Sequence, residues 1–159
     1  MSVGVEWAVH SCLNLAWSEP EEAKTALALA AFYELPAAYL NKQLQALTRA
    51  GILTSTSGPR GGFRLARHPG AITVLDIVTA IEGVDDAFRC TSILRHGPGG
   101  REDQDYSRRC VISQTIRKAE LVWRRELAAT TLDDLRAAVE RQSPRTPQRT
   151  QDWFARTRR

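Results

Sequence analysis

The chain of 159 residues is 43% hydrophobic, which suffices for one domain core with room for a helical extension. No apolar run is long enough to cross a bilayer, and Glu6 stands where a signal peptide would carry basic residues. We therefore expect a cytoplasmic protein with no membrane partner. In that compartment, the three cysteines argue against a disulfide framework.

Positive charge is concentrated in two stretches. Residues 35–75 contain no Asp or Glu and carry +5, and residues 143–159 carry five Arg against Asp152, or +4. Because the whole chain carries only +4, the remaining residues carry −5. A solvated basic face is the ordinary interpretation of such a run, but the elements predicted below favour contact with nucleic-acid phosphates.

A first helix is predicted from Val3 to Leu15. Glu6 and His10 lie one turn apart on the same face, whereas Cys12 points elsewhere, towards the core. A Glu and a His at this spacing are usually a surface pair, although both are competent metal ligands. Trp7 is then either a core residue or a neighbour that shields such a site.

A short second helix is predicted to follow, with Ser18 as its N-cap. Leu27, Ala30 and Ala31 are expected to pack it against the core. Because it precedes the basic helix described next, we expect it to be the positioning helix of a helix-turn-helix.

The third predicted helix begins at Pro36 and ends before Gly51, which suits a C′ position. Leu40, Leu44 and Leu47 form one narrow apolar stripe along it. The opposite side carries the candidates for DNA contact, which are Ala38, Tyr39, Asn41, Lys42, Gln45 and Arg49.

A small hairpin is predicted next, with strands at Ile52–Ser55 and Phe63–Leu65 and a glycine-rich turn between them. Arg60 lies in the turn, and Arg67 follows the return strand. A helix followed by a basic-tipped hairpin indicates a winged helix-turn-helix, so the fold class is mainly α with a small β-wing. The helix would enter a major groove and the wing would reach the neighbouring backbone.

A helix and a long loop follow the wing in the predicted organisation. A capping box at Thr73 starts a helix that Gly83 ends, which closes a DNA-binding domain over residues 1–83. Residues 84–110 are polar and end at Cys110, with Cys90 near their start. Such a long loop is disordered or functional.

The C-terminal third is predicted to be helical and then loose. Ile112, Ile116, Ala119, Trp123 and Leu127 form a stripe that suits a partner helix, so residues 111–141 are assigned to dimerisation. Thr131 caps the second helix of this segment. Residues 142–159 are expected to be a loose basic tail, in which Trp153 and Phe154 dock at an unspecified place.

These motifs resemble a known family. The resemblance is carried by Tyr39-Leu40 through Leu47, Ala50-Gly51-Ile52-Leu53, Gly58-x-x-Gly61-Gly62-Phe63-x-Leu65-Ala66-Arg67, Ile72–Val78 and Ile81-Glu82-Gly83. Over roughly residues 3–141, the chain resembles the Rrf2 family of bacterial transcription regulators. The resemblance implies a homodimeric winged-helix repressor with a long intersubunit helix and, in many members, an iron–sulfur cluster that controls DNA binding.

One departure from the family pattern is informative. Cluster-binding members usually carry three cysteines in the loop, whereas this loop has only Cys90 and Cys110. The N-terminal Gly-Val-Glu-Trp-Ala-x-His motif is similar to that of the RsrR-type redox sensors. The resemblance implies that Glu6 and His10 replace cysteines as ligands, and that two chains share each [2Fe–2S] cluster.

The residues alone leave other sites open. Two Cys with one His and one carboxylate could hold a [2Fe–2S] cluster, as Rieske centres do with two His, or could hold Zn²⁺. Cys90 and Cys110 could instead form a thiol switch, or the chain could have lost its cofactor.

The functional prediction is a redox-sensing repressor that binds a palindromic operator as a homodimer. The alternative of a different class is an interaction module that kept the winged-helix shape without binding DNA, and the acid-free stretch 35–75 favours the regulator. An enzyme is not predicted, because His10, His68 and His96 accompany no evident nucleophile and no phosphate loop or hydrolase signature occurs.

Overall fold

The computed structural model describes residues 1–58, 61–86, 88–101, 106 and 110–157. The helices are α1 (Val3–Ala16), α2 (Ala26–Phe32), α3 (Ala37–Arg49), α4 (Val74–Glu82), α5 (Val111–Ala129), α6 (Leu132–Gln142) and α7 (Thr146–Thr157). The strands β1 (Leu53–Thr56) and β2 (Gly62–Leu65) form an antiparallel hairpin, and 3₁₀ turns cover Pro69–Ala71 and Ile93–His96. This architecture confirms the mainly helical winged helix-turn-helix with a small sheet and one long helix.

The predicted apolar stripe of α3 faces the core. Leu40, Leu44 and Leu47 are all 0% exposed, and Cys12 of α1 is buried among the same core residues. The helix α1 lies directly against α3, since a Cβ at Gly4 would come within 3.1 Å of the Gln43 side chain. A larger residue at position 4 would therefore require the end of the Gln43 side chain to move.

The end of α3 is set by its own backbone. Gly51 has φ +68°, its N–H donates to the Thr48 carbonyl at 3.0 Å, and the Ile52 N–H donates to the Leu47 carbonyl at 3.0 Å. This is a Schellman motif, which satisfies the last helical carbonyls and needs a residue tolerant of positive φ. The chain leaves it directly into β1.

The wing is held to the helical body by a third extended segment. Lys24 exchanges two backbone hydrogen bonds with Phe63, at 2.9 and 2.8 Å, and the Phe63 ring is buried. The β1–β2 register pairs Leu53 with Leu65 and Thr56 with Gly62. The base of the wing is thus anchored, while the predicted tip residue Arg60 lies outside the described residues.

The helices α4 and α6 begin with matching capping boxes. Thr73 caps α4 with Asp76, and Thr131 caps α6 with Asp134, each pair bonding in both directions. The Thr131 hydrogen bonds hold the pKa of Asp134 below its usual value. An antiparallel bridge between Thr73 and Thr131 ties the two helix starts together, so the C-terminal helices are fixed to the DNA-binding body.

Two predictions about the second helix are wrong. The helix is capped by Thr25, not Ser18, because the preceding residues pair with the wing through Lys24. Leu27 is 70% exposed and Ala31 is exposed, whereas Leu29 and Ala30 are buried.

The prediction of a loose tail is also wrong. Residues 146–157 form α7, which docks on α2: Trp153 and Phe154 lie 5.0 and 5.3 Å from the Phe32 ring. The Lys24 ammonium sits 4.7 Å from the centre of the Phe154 ring. Aromatic packing at a distant element therefore orders a segment whose composition indicated disorder.

Candidate DNA interface and metal-ligand residues

The six residues predicted on the recognition helix form one exposed surface. Because the leucine stripe is buried, the opposite side of α3 turns outwards, and the exposed residues there are Ala38, Tyr39, Asn41, Lys42, Gln45 and Arg49. Within the described part of the chain, neither Lys42 nor Arg49 makes an ion pair. The surface therefore offers two uncommitted cations beside amide and phenol groups, which suits a DNA groove.

The arginines at the base of the wing are already engaged. Arg67 donates to the Ala71 carbonyl at 3.1 Å, and its guanidinium lies 3.6 Å from a carboxylate oxygen of Asp76. Arg64 donates to Glu21 at 3.0 Å. Phosphate contact by Arg67, as the sequence predicts, has to compete with these contacts.

Glu6 and His10 lie on the outer face of α1. Both side chains are exposed, and the His10 ring packs edge-on against Tyr33 with centroids 5.5 Å apart. Both side chains are therefore accessible to a metal centre that lies outside their own helix.

Trp7 joins that helix to the recognition helix. Its ring is half-buried and meets the Tyr39 ring edge-on, with centroids 5.2 Å apart and an interplanar angle of 79°. A movement of Glu6 or His10 that tilts α1 would therefore press on a residue predicted to touch DNA.

The three thiols differ in environment. Cys90 and Cys110 are free and half-buried, and Cys110 occupies the N-cap of α5, where its N–H donates to the Tyr106 carbonyl at 2.8 Å. Cys12 is fully buried, and burial raises the pKa of its thiol to about 12. Only the two loop cysteines are therefore placed to become thiolate ligands.

The four predicted ligands do not meet within one chain. Among the described residues, no three His, Cys, Asp or Glu side chains lie close enough to hold a metal ion together. In one chain, therefore, no three of Glu6, His10, Cys90 and Cys110 come together.

The long helix α5 exposes apolar residues. The largest exposed fractions are those of Val111 (73%), Ile112 (66%), Leu121 (65%) and Val122 (60%). The predicted stripe is split, because Ile116, Trp123 and Leu127 are half-buried by their own chain. In the described part of the chain, no helix is long and apolar enough to cross a membrane.

Part of this face and one contact of the recognition helix were not predicted from the sequence. Val111, Leu121 and Val122 lie outside the predicted stripe that runs from Ile112 to Leu127. A count of all apolar residues per helical turn would have found them. Gln43 is buried on α3 beneath Gly4, although its polar side chain gave no signal of burial.

Comparisons with known proteins agree on one family. Residues 1–138 match the sequence model of Rrf2, described as an iron-dependent transcriptional regulator. The protein YffB of Lactococcus lactis, which is named as a helix-turn-helix-type transcriptional regulator, is 30% identical over 132 residues, or 83% of each chain. The transcriptional regulator IscR of Klebsiella pneumoniae is 33% identical over 67 residues, covering 42% of this chain and 38% of IscR.

Solved structures agree as well. CymR, the global cysteine regulator of B. subtilis, is 25% identical with a TM-score of 0.62, over 87% of this chain and 96% of CymR. IscR of T. potens shares the fold, with a TM-score of 0.66 and 22% identity over 90% of each chain. The Rrf2 sequence model matches residues 1–138, which is most of the chain, and the winged-helix fold agrees with these solved structures. The chain therefore belongs to the Rrf2 family of DNA-binding transcriptional regulators, which are not enzymes.

Proposed function

We propose that this protein is an RsrR-type redox sensor, whose operator affinity depends on a [2Fe–2S] cluster held by Glu6, His10, Cys90 and Cys110. Two chains share each cluster, and the homodimer acts in the cytoplasm on a palindromic operator, as a repressor. DNA binding itself follows from the family; the cluster, its ligands and the redox response are the proposal.

The donor set fits such a cluster. In Rieske centres two thiolates and two imidazoles hold a [2Fe–2S] cluster, and here the Glu6 carboxylate would take the place of one imidazole. Glu6 and His10 are exposed, and Cys90 and Cys110 are free. That no three of them come together within the described part of one chain supports sharing between two chains. When bound, the cluster supplies a reversible one-electron change of charge.

The observation that carries the redox proposal is the contact between Trp7 and Tyr39. Trp7 stands between Glu6 and His10, and its ring lies against the outer face of α3. Gly4 of the same helix packs against the Gln43 side chain of α3. Because both contacts join α1 to the recognition helix, a shift of Glu6 or His10 changes the position of α3.

Dimerisation would convert that shift into a change in the spacing of two recognition helices. The exposed apolar face of α5 is the kind of surface that monomers rarely leave open. In this proposal, residues 1–83 bind DNA, residues 84–110 contribute the loop ligands and residues 111–141 form the dimer contact. Pairing through α5 sets two recognition helices about one helical turn of DNA apart, a spacing that a palindromic operator tests.

The ligand assignment is tested by iron, sulfide and absorption measurements on protein purified without oxygen. We expect His10→Ala and Cys90→Ala to lose the cluster spectrum and most of the iron. Cys12→Ala is the matched control, because Cys12 is buried away from the proposed ligands, and it should keep both. An unchanged spectrum and iron content in His10→Ala or Cys90→Ala would refute the assignment.

The DNA assignment is tested on an operator selected from a random duplex library by the full chain. Lys42→Ala should weaken binding by about 1–3 kcal/mol if Lys42 reads a base, and relax the preference at one position. Arg141→Ala, on an exposed residue of α6, is the control and should bind as wild type does. Wild-type affinity in Lys42→Ala would show that α3 docks in another way.

A second candidate rests on the two free loop thiols. Cys90 and Cys110 could form a disulfide switch or bind zinc without iron. Colourless protein with one zinc per chain, or a Cys90–Cys110 disulfide formed on oxidation, would favour this candidate over the cluster.

A further inference from the structure

The C-terminal helix α7 lies beyond the part of the chain that matches the family. The match covers residues 1–138, whereas α7 begins at Thr146. The helix is nevertheless firmly attached: Thr150 and Phe154 are 2% exposed, and Gln151 donates to the Trp17 carbonyl at 2.7 Å. The backbone of α7 is therefore held at a fixed position relative to the helix-turn-helix.

A basic stripe runs along the outer side of α7. It is formed by Arg149 and Arg156 of the helix and by Arg145, the residue directly before it, whose carbonyl accepts the Arg149 N–H at 3.0 Å. At 100° per residue the three lie within about 40° of each other around the helix axis. All three are exposed, and within the described residues none makes an ion pair. The one acid of the helix, Asp152, lies at the edge of the stripe and accepts a hydrogen bond from Gln148 at 2.8 Å, so the three arginines outnumber it.

The docking site of α7 is on α2, the helix that precedes the recognition helix. Its aromatic residues pack on Phe32 of α2, and Phe154 lies under Lys24, the residue whose backbone pairs with the wing. In helix-turn-helix complexes, the helix that precedes the recognition helix crosses the DNA backbone. An element docked on α2 therefore adjoins the helix that would cross the backbone flanking the bound groove.

The dimensions of the stripe suit such a contact. Eleven residues of helix span roughly 16 Å, and duplex DNA carries one negative charge for about every 1.7 Å of its axis. Because the chain outside its two basic stretches carries −5, the +4 of residues 143–159 is a local feature and not a general excess.

We propose that α7 is a second DNA-contacting element, whose basic stripe binds backbone phosphates beside the half-site read by α3 of the same chain. This inference rests on DNA binding by the helix-turn-helix. The contact is independent of sequence, so it lengthens the footprint and raises affinity without changing which bases are preferred.

The test uses the full-length protein and the selected operator in two duplexes. One ends at the outer edges of the half-sites, and the other adds about one helical turn of mixed sequence on each side. The variant Arg145→Gln/Arg149→Gln/Arg156→Gln removes the positive charge of the stripe, and the matched Arg→Lys triple variant keeps it. Affinity is measured as a function of salt concentration.

The expected result is length-dependent. On the long duplex, the Gln variant should bind about tenfold more weakly, and its salt slope should be shallower by about 0.9 for each phosphate that it no longer neutralises. On the short duplex it should match wild type, and the Lys variant should bind the long duplex nearly as well as wild type.

Two results would overturn the proposal. Equal affinity of wild type and the Gln variant on the long duplex would show that the stripe does not reach DNA. An equal reduction on both duplexes would show that the substitutions act through the fold or the central operator. Failure of wild type to bind any duplex would instead refute operator binding, on which the proposal depends.

Discussion

At the scale of single residues, burial decides what each thiol can do. Cys12 is fully buried, and burial raises the pKa of its thiol to about 12, so at neutral pH it remains a protonated core residue. Cys90 and Cys110 are free and half-buried. The sequence already indicated this division, because Cys12 falls off the Glu6–His10 face of its helix while the other two flank a polar loop.

Alkylation at pH 8 checks this division. In folded protein without cluster, iodoacetamide should modify Cys90 and Cys110 and leave Cys12 untouched until denaturant exposes it. In the cluster-bound protein, all three should be protected. Peptide mass spectrometry locates the label, and early modification of Cys12 in folded protein would contradict the buried position of that thiol.

Lys24 shows a residue role that no sequence pattern indicated. Its ammonium lies against Phe154 and pairs with Glu22, and burial lowers the pKa of Lys24. The contact with Phe154 joins positions far apart in the chain, and residue type alone predicts an exposed lysine. The structure instead makes Lys24 the junction of the wing, α2 and α7.

At the scale of elements, the sequence predicted helices correctly where residues within or next to the helix determine its start and end. Gly51 and the leucine stripe fixed α3, and the capping boxes at Thr73 and Thr131 fixed α4 and α6. The start of α2 and the existence of α7 were missed, because both depend on contacts with distant residues. The same kind of contact joins α1 to α3, where Gly4 meets Gln43.

The role of the α1–α3 contact in DNA binding can be tested with a larger side chain at position 4. Gly4→Val adds a branched side chain where even a Cβ would lie 3.1 Å from Gln43, so α1 should be pushed away from α3 and operator affinity should fall several-fold. Gln43→Ala added to Gly4→Val should restore part of the affinity by making room. Iron content serves as the control, since both variants keep the four proposed ligands.

One result for Gly4→Val would contradict this prediction. If Gly4→Val binds the operator as wild type does and still folds, the α1–α3 contact does not control the recognition helix. The coupling would then have to pass elsewhere, and the contact between Trp7 and Tyr39 would be the remaining route.

At the scale of the whole molecule, the proposed function requires two chains. In the described residues, no three of the four proposed ligands come together, and α5 leaves large apolar side chains exposed. Both observations are explained if a second copy covers α5 and brings its own ligands. The sequence predicted the helix and the partner, but not which side of α5 is covered by its own chain.

Dimerisation is tested at Val122, which is 60% exposed on α5. Val122→Glu would bury a charge in the apolar contact, so sedimentation should show monomer at micromolar concentration where wild type is a dimer. Leu27→Glu is the matched control, because Leu27 is 70% exposed on α2, outside the proposed contact, and it should remain dimeric. A dimeric Val122→Glu protein, or a monomeric wild type, would place the interface elsewhere.

In the proposed mechanism, oxidation state, and not loss of iron, sets the affinity for DNA. The most direct measurement is operator binding by one anaerobic sample, first oxidised, then reduced, then reoxidised, with the absorption spectrum recorded at each step. We predict tighter binding by the oxidised form, weaker binding after reduction and full recovery on reoxidation, with iron content constant. Equal affinity in both states while the cluster remains intact would contradict the mechanism.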